Sequence, residues 1–200
     1  MAADPSEVSE GLYMTVEQYL ALDEATDGKY EFLDGYVFML RPPSSDYDER
    51  AVDMAGGSIA HAAICARMAL LLGNALAGSP CIVYTSDARL QLAERQYLYP
   101  DLVVACGEQS GTMLINPSVV IEALSPTTEK RDHGAKFKTY KSLPSVQEYV
   151  LIGSEYRSIE VHRREGRFWK EQHYYEGDLV ELKSLGVSFP FDEVYHRIRL

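Results

Sequence analysis

The spacing of apolar residues near the start of the chain predicts a short helix followed by a β-hairpin. Thr15 is a typical first residue for a helix, and apolar residues follow it at helical spacing. Two apolar runs between residues 29 and 40 then flank the pair Asp34-Gly35, the strongest short signal for a hairpin turn. Residues 1–12 show no such periodicity, and we expect them to form a flexible N-terminal tail.

The rest of the chain alternates longer helical patterns with short apolar strands. A run rich in alanine and leucine over residues 58–77 predicts a buried helix, and Asp132 is a candidate cap for a further helix that ends near Leu143. Because no repeat or linker divides the chain, we expect one domain over residues 13–195, a C-terminal tail at 196–200, and a mixed α/β sheet flanked by helices. Strands are predicted at 81–85, 88–92, 102–106, 119–124, 148–152, 159–164, 167–174 and 179–182.

Composition and charge narrow the function classes. The chain of 200 residues is 46% hydrophobic and 24% charged, as in an ordinary globular protein. Its net charge of −11 argues against a protein that coats nucleic acid non-specifically. Residues 126–170 nevertheless carry ten basic against six acidic residues, a local excess of +4, which fits either a basic surface or ordinary solvated side chains. The acidic loop 44–57 is longer than most connections in compact domains.

The three cysteines and the absence of targeting patterns bear on location. No apolar run approaches the roughly 18 residues of a membrane helix, and the N-terminus shows no signal-peptide pattern. Cys65, Cys81 and Cys106 are odd in number, far apart and embedded in apolar sequence. We therefore expect reduced core cysteines in a cytoplasmic protein without membrane association.

Glu122 and Asp101 are the most informative polar residues, because both lie in strongly apolar surroundings. Glu122 stands within Val-Val-Ile-Glu-Ala-Leu, and Asp101 precedes Leu-Val-Val directly after a proline. Burial of a lone carboxylate is costly, so each carboxylate needs a cation or a partner. A divalent ion between them would remove their repulsion, and oxygen ligands favour Mg²⁺, Mn²⁺ or Ca²⁺ over Zn²⁺. The alternatives are a structural salt bridge for Glu122 and a helix or turn cap for Asp101.

Lys136 is the cation that helical periodicity places nearest to these acids. It shares a face of the predicted helix with Tyr140 and Leu143, which we expect to pack on the sheet, whereas Lys138 points more nearly to solvent. Its position in the first turns also keeps it close to the end of the Glu122 strand. The alternative is a lysine whose aliphatic stem follows the helix edge while its ammonium reaches water.

Four segments carry a resemblance to a known family. They are Tyr30-Glu31-Phe32-Leu33-Asp34-Gly35, Pro100-Asp101, Glu122-Ala123-Leu124-Ser125-Pro126 and Asp132-His133-Gly134-Ala135-Lys136-Phe137-Lys138-Thr139-Tyr140. In this order and spacing they resemble the Uma2 family, also known as domain of unknown function 820, of the PD-(D/E)XK restriction-endonuclease-like superfamily. No single segment decides the resemblance, which extends over residues 13–195.

The resemblance implies a fold and a set of metal ligands. The fold is an αβββαβ core in which Asp101 and Glu122 hold the metal, with the carbonyl oxygen of Ala123 as a third protein ligand. The general superfamily pattern has a lysine two residues after the glutamate, where this chain has Leu124. The resemblance assigns the role of that lysine to Lys136 on the following helix.

Further residues and the function also follow from the resemblance. Glu31 is expected as an additional metal ligand or, alternatively, as a charge at the hairpin edge. His61 is expected to contact phosphate or to have a structural role. Lys130 and Lys138 belong to the basic stretch 126–170, and for that reason we expect them to bind substrate. The implied protein is an endonuclease that uses Mg²⁺ or Mn²⁺, cleaves nucleic acid with DNA as the expected substrate, and forms a homodimer. A catalytically inactive nuclease-fold module for binding or assembly, and an enzyme acting on another phosphate ester, are the alternatives.

Overall fold

A computed structural model describes residues 12–41, 58–109, 111–126 and 128–200 of the protein. These residues form two compact units. The first unit contains residues 12–41 and 89–99, and the second contains residues 58–88 and the described residues from 100 to 200.

The secondary structure is rich in short strands. In chain order the strands are β1 (Leu12–Tyr13), β2 (Lys29–Leu33), β3 (Tyr36–Arg41), β4 (Cys81–Thr85), β5 (Leu90–Ala93), β6 (Gln96–Leu98), β7 (Leu102–Cys106), β8 (Pro117–Leu124), β9 (Glu148–Gly153), β10 (Ile159–Glu165), β11 (Phe168–Tyr174), β12 (Leu179–Leu182) and β13 (Val187–Pro190). The helices are α1 (Val16–Ala25), α2 (Ile59–Ala75), α3 (Glu129–Arg131), α4 (Phe137–Ser142) and α5 (Phe191–Val194). A π turn, Asp132–Lys136, joins α3 to α4, so residues 129–142 form one uninterrupted helical segment.

The first unit consists of α1 and a five-stranded sheet with the order β1-β3-β2-β6-β5. The side chain of Thr15 accepts a hydrogen bond from the backbone of Gln18 at 3.3 Å, and the side chain of Gln18 accepts one from the backbone of Thr15 at 2.8 Å. The β2–β3 hairpin turns at Asp34-Gly35, with positive φ angles of 51° and 104°. The predicted capped helix and Asp-Gly hairpin are therefore confirmed.

The second unit contains the αβββαβ core. Its main sheet has the order β11-β10-β9-β8-β7-β4, and β12 pairs with β13 in a separate ribbon. β8 and β9 are parallel, so they need a crossover connection, which the helical segment 129–142 provides. In chain order α2, β4, β7, β8, the helical segment and β9 give αβββαβ, so the predicted mixed α/β fold is confirmed. α2 buries Ile64, Met68 and Leu72 in the core of this unit.

Several elements differ from the sequence-based predictions. The helix expected to begin at Asp132 begins at Glu129, because the carbonyl of Ser125 accepts the backbone N–H groups of Thr128 and Glu129 and starts the helical turn earlier. β6 has only three residues and is stabilised by pairing with β2 and β5, which a local pattern does not reveal. The terminal elements β13 and α5 were also not predicted. The loop expected at 44–57 lies outside the described residues.

The expectation of three reduced cysteines is wrong for two of them. Cys81 on β4 and Cys106 on β7 are direct partners in the antiparallel register and form a disulfide. Only the register brings them together, since 25 residues separate them in sequence. Cys65 remains a free, partly buried thiol. Among the described residues, no helix combines the length and apolar character required to cross a membrane.

Candidate active site

Asp101 and Glu122 meet where β7 begins and β8 ends. The antiparallel register pairs Leu102 with Ile121, and its continuation by one residue places Asp101 opposite Glu122. Two hydrogen bonds link them across the strands. The backbone N–H of Asp101 donates to Oε2 of Glu122 at 3.3 Å, and the backbone N–H of Ala123 donates to Oδ2 of Asp101 at 2.8 Å. Both carboxylates are therefore positioned by sheet geometry as well as by their own side-chain rotamers.

The helical segment supplies two further groups to the Glu122 carboxylate. Nζ of Lys136 lies 3.0 Å from Oε1 of Glu122, and the hydroxyl of Tyr140 donates to the same oxygen at 3.2 Å. Lys136 and Glu122 are both almost completely buried, at 4% and 3% exposure. The predicted orientation of Lys136 towards the sheet is thus the observed one, and its ammonium does not extend into solvent.

Asp132 belongs to the same buried group and is not a helix cap. It lies inside the π turn, where its Oδ1 is 3.3 Å from Nζ of Lys136. Its side chain is 2% exposed, so Lys136 faces two buried carboxylates, those of Asp132 and Glu122. π turns occur frequently at functional sites, and this one places Lys136 in contact with both acids.

His61 on α2 contacts the other acid of the pair. Its Nε2 lies 3.1 Å from Oδ2 of Asp101, and its Nδ1 lies 3.8 Å from Sγ of Cys65, one helical turn further along α2. These three residues border a cavity of about 250 Å³ that is also lined by Thr85 and Ser86. The structure therefore places His61 as a partner of Asp101, and its predicted contact with phosphate stays a prediction.

The pKa values of His61 and Asp101 describe an ion pair. The hydrogen bond to Asp101, followed by that to Cys65, raises the pKa of His61 to about 10. Burial favours a higher pKa for Asp101, but the hydrogen bond and charge of His61, with a contribution from Lys136, hold it below its usual value. Burial raises the pKa of the Cys65 thiol despite its contact with His61. Asp101 is therefore an anion, a state suited to binding a cation.

Three predicted site residues remain, namely Glu31, Lys130 and Lys138. Glu31 is in the first unit, completely buried on β2, and its Oε1 accepts the backbone N–H of Tyr99 at 3.2 Å. Lys130 and Lys138 are exposed on the helical segment of the second unit. The structure does not gather Lys130 and Lys138 into the buried group around Glu122. The predicted roles of Glu31 in metal binding and of the two lysines in substrate binding stay predictions.

The sequence did not predict the contacts that Tyr140 and Asp132 make in the site. Tyr140 was expected to face the sheet, but its hydrogen bond to Glu122 was not foreseen, and Asp132 was assigned to a cap. A signal was present, because Asp132, Lys136 and Tyr140 follow one another at intervals of four residues. Polar residues at this spacing share one helix face, and together they indicate a polar face directed at a buried partner.

The residues of the site fit a divalent cation. Asp101, Glu122 and Asp132 bring three carboxylates into one group, in which Lys136 contacts Glu122 and Asp132 and His61 contacts Asp101. Carboxylates gathered in a largely buried region repel one another, and a bound cation would reduce that repulsion. Oxygen atoms that could bind a metal are available at the strand ends. They belong to the carboxylates of Asp101 and Glu122 and to the backbone carbonyl of Ala123, and Mg²⁺ and Mn²⁺ prefer such hard oxygen ligands.

The αβββαβ order, with an acidic pair at adjoining strand ends and a lysine directed at it, defines a protein of the restriction-endonuclease-like class. The chain belongs to the Uma2 family, whose model matches residues 45–192 and is described as "Putative restriction endonuclease". The resemblance to this family in the sequence is thus confirmed.

Two proteins and one crystal structure are similar to the chain over most of its length. "Uncharacterized protein slr1290" of Synechocystis sp. is 34% identical over 187 residues, which cover 91% of each chain. "Uncharacterized protein sll1609" of the same organism is 29% identical over 163 residues, covering 78% of this chain and 84% of that protein. The crystal structure, described as "a putative nuclease belonging to DUF820" from Anabaena variabilis, has a TM-score of 0.70 at 18% identity and covers 91% of this chain and 97% of its own. At this level of identity the match shows a shared fold.

Proposed function

We propose that the chain is a metal-dependent nuclease that hydrolyses phosphodiester bonds in nucleic acid, with DNA as the substrate, and that it uses Mg²⁺ or Mn²⁺. The observation that carries the proposal is the buried group of Asp101, Glu122 and Lys136, in which two carboxylates meet at adjoining strand ends and the ammonium of Lys136 contacts Glu122. A domain kept only for its fold has no need to maintain such a costly arrangement.

Each residue has a role that follows from its contacts. Asp101, Glu122 and the carbonyl of Ala123 would hold the metal, which, when bound, acidifies water and neutralises charge on the phosphoryl group. Lys136 keeps an ammonium beside Glu122, where it orients the attacking water and stabilises the negative charge that develops on the phosphate. Tyr140 acts through Glu122, since its hydroxyl fixes the same oxygen that Lys136 contacts.

We assign substrate binding to exposed lysine side chains. The helical segment presents Lys130 and Lys138 to solvent, and such lysines bind the phosphate backbone without reading its sequence. We include Glu31 as an additional metal ligand, as the family resemblance implies. A homodimer in the cytoplasm completes the proposal, because two active sites are suited to cutting both strands of a duplex.

A DNA-cleavage assay tests the proposal. Supercoiled plasmid and end-labelled single- and double-stranded oligonucleotides are incubated with the protein in Mg²⁺, Mn²⁺ or EDTA. The wild type is expected to cleave with either metal and not with EDTA, and Asp101→Ala is expected to lose about 10²-fold or more of this activity. Equal cleavage by the wild type and Asp101→Ala would identify a contaminating nuclease and contradict the proposal. Sedimentation analysis of the same samples tests the dimer.

A second function, that of an inactive module which binds nucleic acid or a protein partner, has one observation in its favour. Glu122 and Lys136 form a buried salt bridge, as the structural alternative for Glu122 requires. This function predicts a protein that binds labelled DNA in a gel-shift assay equally well in EDTA and in Mg²⁺, and that cleaves nothing. The further alternative, an enzyme that acts on another phosphate ester, is tested by measuring hydrolysis of a panel of simple phosphate esters.

A further inference from the structure

A second cluster of ligand-type side chains lies on the β10–β11 hairpin and shares no residue with the candidate active site. The antiparallel register pairs Glu160 with His173 and His162 with Glu171. Residues two apart on one strand, and residues directly opposite on its neighbour, project from the same face of a sheet. Two histidines and two glutamates therefore form a compact square on one face of this hairpin.

The donor atoms of this square are already close together. One donor atom from each of Glu160, Glu171 and His173 lies within 4.8 Å of the others, and Nε2 of His173 is 2.5 Å from Oε1 of Glu171. His162 bridges the two acids, because its Nε2 contacts Oε1 of Glu160 and its Nδ1 lies 3.9 Å from Oε2 of Glu171. His133, in the π turn, adds a fifth donor with its Nδ1 3.9 Å from Oε1 of Glu160.

His162 lies at the buried edge of the cluster and packs against an aromatic ring. The residue is 6% exposed, and its ring lies 4.2 Å, centroid to centroid, from the ring of Phe137. Although its buried Nε2 touches Glu160, it makes no hydrogen bond of normal geometry. Buried polar atoms are normally hydrogen-bonded, and an imidazole nitrogen fixed against carboxylates without such a bond fits a metal ligand.

We propose that Glu160, His162, Glu171 and His173, with His133 at their edge, bind a transition-metal ion of the Zn²⁺ class. Imidazole and carboxylate ligands suit this class, and tetrahedral coordination at about 2.0–2.2 Å places neighbouring ligand atoms about 3.4 Å apart. The side chains of Glu171 and His173 are 51% and 46% exposed, so they are able to move the short distance that closes the set.

The proposed metal site does not depend on the proposed nuclease function. It is nevertheless linked to the candidate active site, because His133 and Lys136 lie in the same π turn. Through His133 the ion would join the π turn to the β10–β11 hairpin. Because Lys136 belongs to the same π turn, the ion would stabilise the segment that carries this lysine. The competing explanation is a ladder of cross-strand charge pairs, which stabilises a hairpin without any metal.

Zinc titration of the full-length protein tests the proposal. The protein is stripped with EDTA, freed of chelator, and titrated with Zn²⁺ by calorimetry. Since His61, Cys65 and Asp101 also bring donor atoms within 4.8 Å of one another, the titration is carried out in both the wild type and Asp101→Ala. The test variant is Glu171→Gln/His173→Ala, whose two side chains are exposed enough to be replaced without loss of folding. His196→Ala, an exposed histidine outside the cluster, is the matched control.

The proposal predicts that Asp101→Ala retains one Zn²⁺ site and that Glu171→Gln/His173→Ala, in the Asp101→Ala background, weakens it by about tenfold or more. His196→Ala is expected to have no effect on it. Co²⁺ bound at this site should give visible ligand-field bands without a thiolate charge-transfer band. The proposal is overturned by any of three results: no zinc uptake, uptake abolished by Asp101→Ala alone, or an unchanged affinity in the Glu171→Gln/His173→Ala variant.

Discussion

The ammonium of Lys136 lies 3.0 Å from Oε1 of Glu122, although the two residues are separated by the end of β8 and the first turns of a helix. In the general superfamily pattern the lysine follows the glutamate by two residues on the same strand. Here Leu124 holds that position and is buried in the sheet. The π turn returns the chain to the carboxylate, so the lysine that contacts Glu122 comes from the helical segment and not from the strand.

Lys136→Met is expected to cost both activity and stability. The substitution preserves much of the side-chain volume but leaves the buried carboxylates of Glu122 and Asp132 without their ammonium. Loss of one partner of a buried ion pair destabilises a protein by about 3–5 kcal/mol. Urea unfolding in EDTA should show a loss of this size, and DNA cleavage in Mg²⁺ should fall by about 10²-fold or more.

A double variant separates the structural from the catalytic role of this pair. Glu122→Gln/Lys136→Met removes both charges, so it should be more stable than Lys136→Met alone by about 1–3 kcal/mol while remaining inactive. Lys141→Met, at an exposed position on the same helix, should change stability by no more than about 0.5 kcal/mol. Wild-type cleavage by Lys136→Met would contradict the assigned role.

Tyr140→Phe tests the hydroxyl that supports Glu122. Because the hydroxyl donates to a buried carboxylate at 3.2 Å, its removal should lower the free energy of unfolding by about 1–3 kcal/mol. The ring remains and continues to pack on Tyr149, so the fold should be preserved. Circular dichroism checks the fold, and calorimetry compares Mn²⁺ binding, which should weaken if Tyr140 positions Glu122. Unchanged stability and Mn²⁺ affinity would show that the hydrogen bond contributes nothing measurable.

Patterns within short stretches of the sequence were sufficient to predict the acidic pair Asp101 and Glu122 and the orientation of Lys136. Glu122 and Asp101 are conspicuous because an acid in an apolar strand is costly to bury, and this cost depends on the immediate sequence alone. Lys136 followed from helical periodicity, since Tyr140 on the same face is apolar enough to require a sheet to pack on. The physical information for these predictions was contained within short stretches of the chain.

The remaining features of the site depend on tertiary structure. The contact between His61 and Asp101 joins residues 40 positions apart, and it depends on how α2 crosses the sheet. The disulfide between Cys81 and Cys106 depends on the register of β4 against β7. A shift of one residue in that register would separate the cysteines, and no pattern within either strand fixes it.

The disulfide should contribute measurably to stability. A cross-link that closes a loop of 25 residues restricts the unfolded chain and, in the chain-entropy description, stabilises the fold by about 3.5 kcal/mol. Dithiothreitol is therefore expected to lower the free energy of unfolding of the wild type by roughly this amount. Cys81→Ser/Cys106→Ser should be less stable by a similar amount and insensitive to the reductant, whereas Cys65→Ser should respond as the wild type does. Equal stability in both redox states would contradict this prediction.

Tyr195 gives the protein a specific alkaline instability. Its ring is completely buried, and its hydroxyl accepts the backbone N–H of Ser158 at 3.1 Å. The hydroxyl lies within donating distance of two carbonyl oxygens, that of Ser158 at 2.7 Å and that of Gly153 at 3.0 Å. Burial, only partly offset by Ser158 and by the charge of Arg157, raises the pKa of Tyr195 to about 12 from its usual value of 10. A raised pKa in the folded state means that the unfolded chain loses this proton first, so the stabilisation is complete below pH 10 and is lost as pH rises towards 12.

The loss should amount to about 2–3 kcal/mol between these pH values. Other tyrosines also titrate in this range, so the informative quantity is the difference in unfolding free energy between the wild type and Tyr195→Phe. At pH 8–9, where this phenol remains protonated in both states, that difference reports the lost hydrogen bonds alone. It should become smaller as pH rises from 10 to 12, because only the wild type carries the Tyr195 proton. A difference that stays constant across this range would show that burial of Tyr195 does not shift its ionisation.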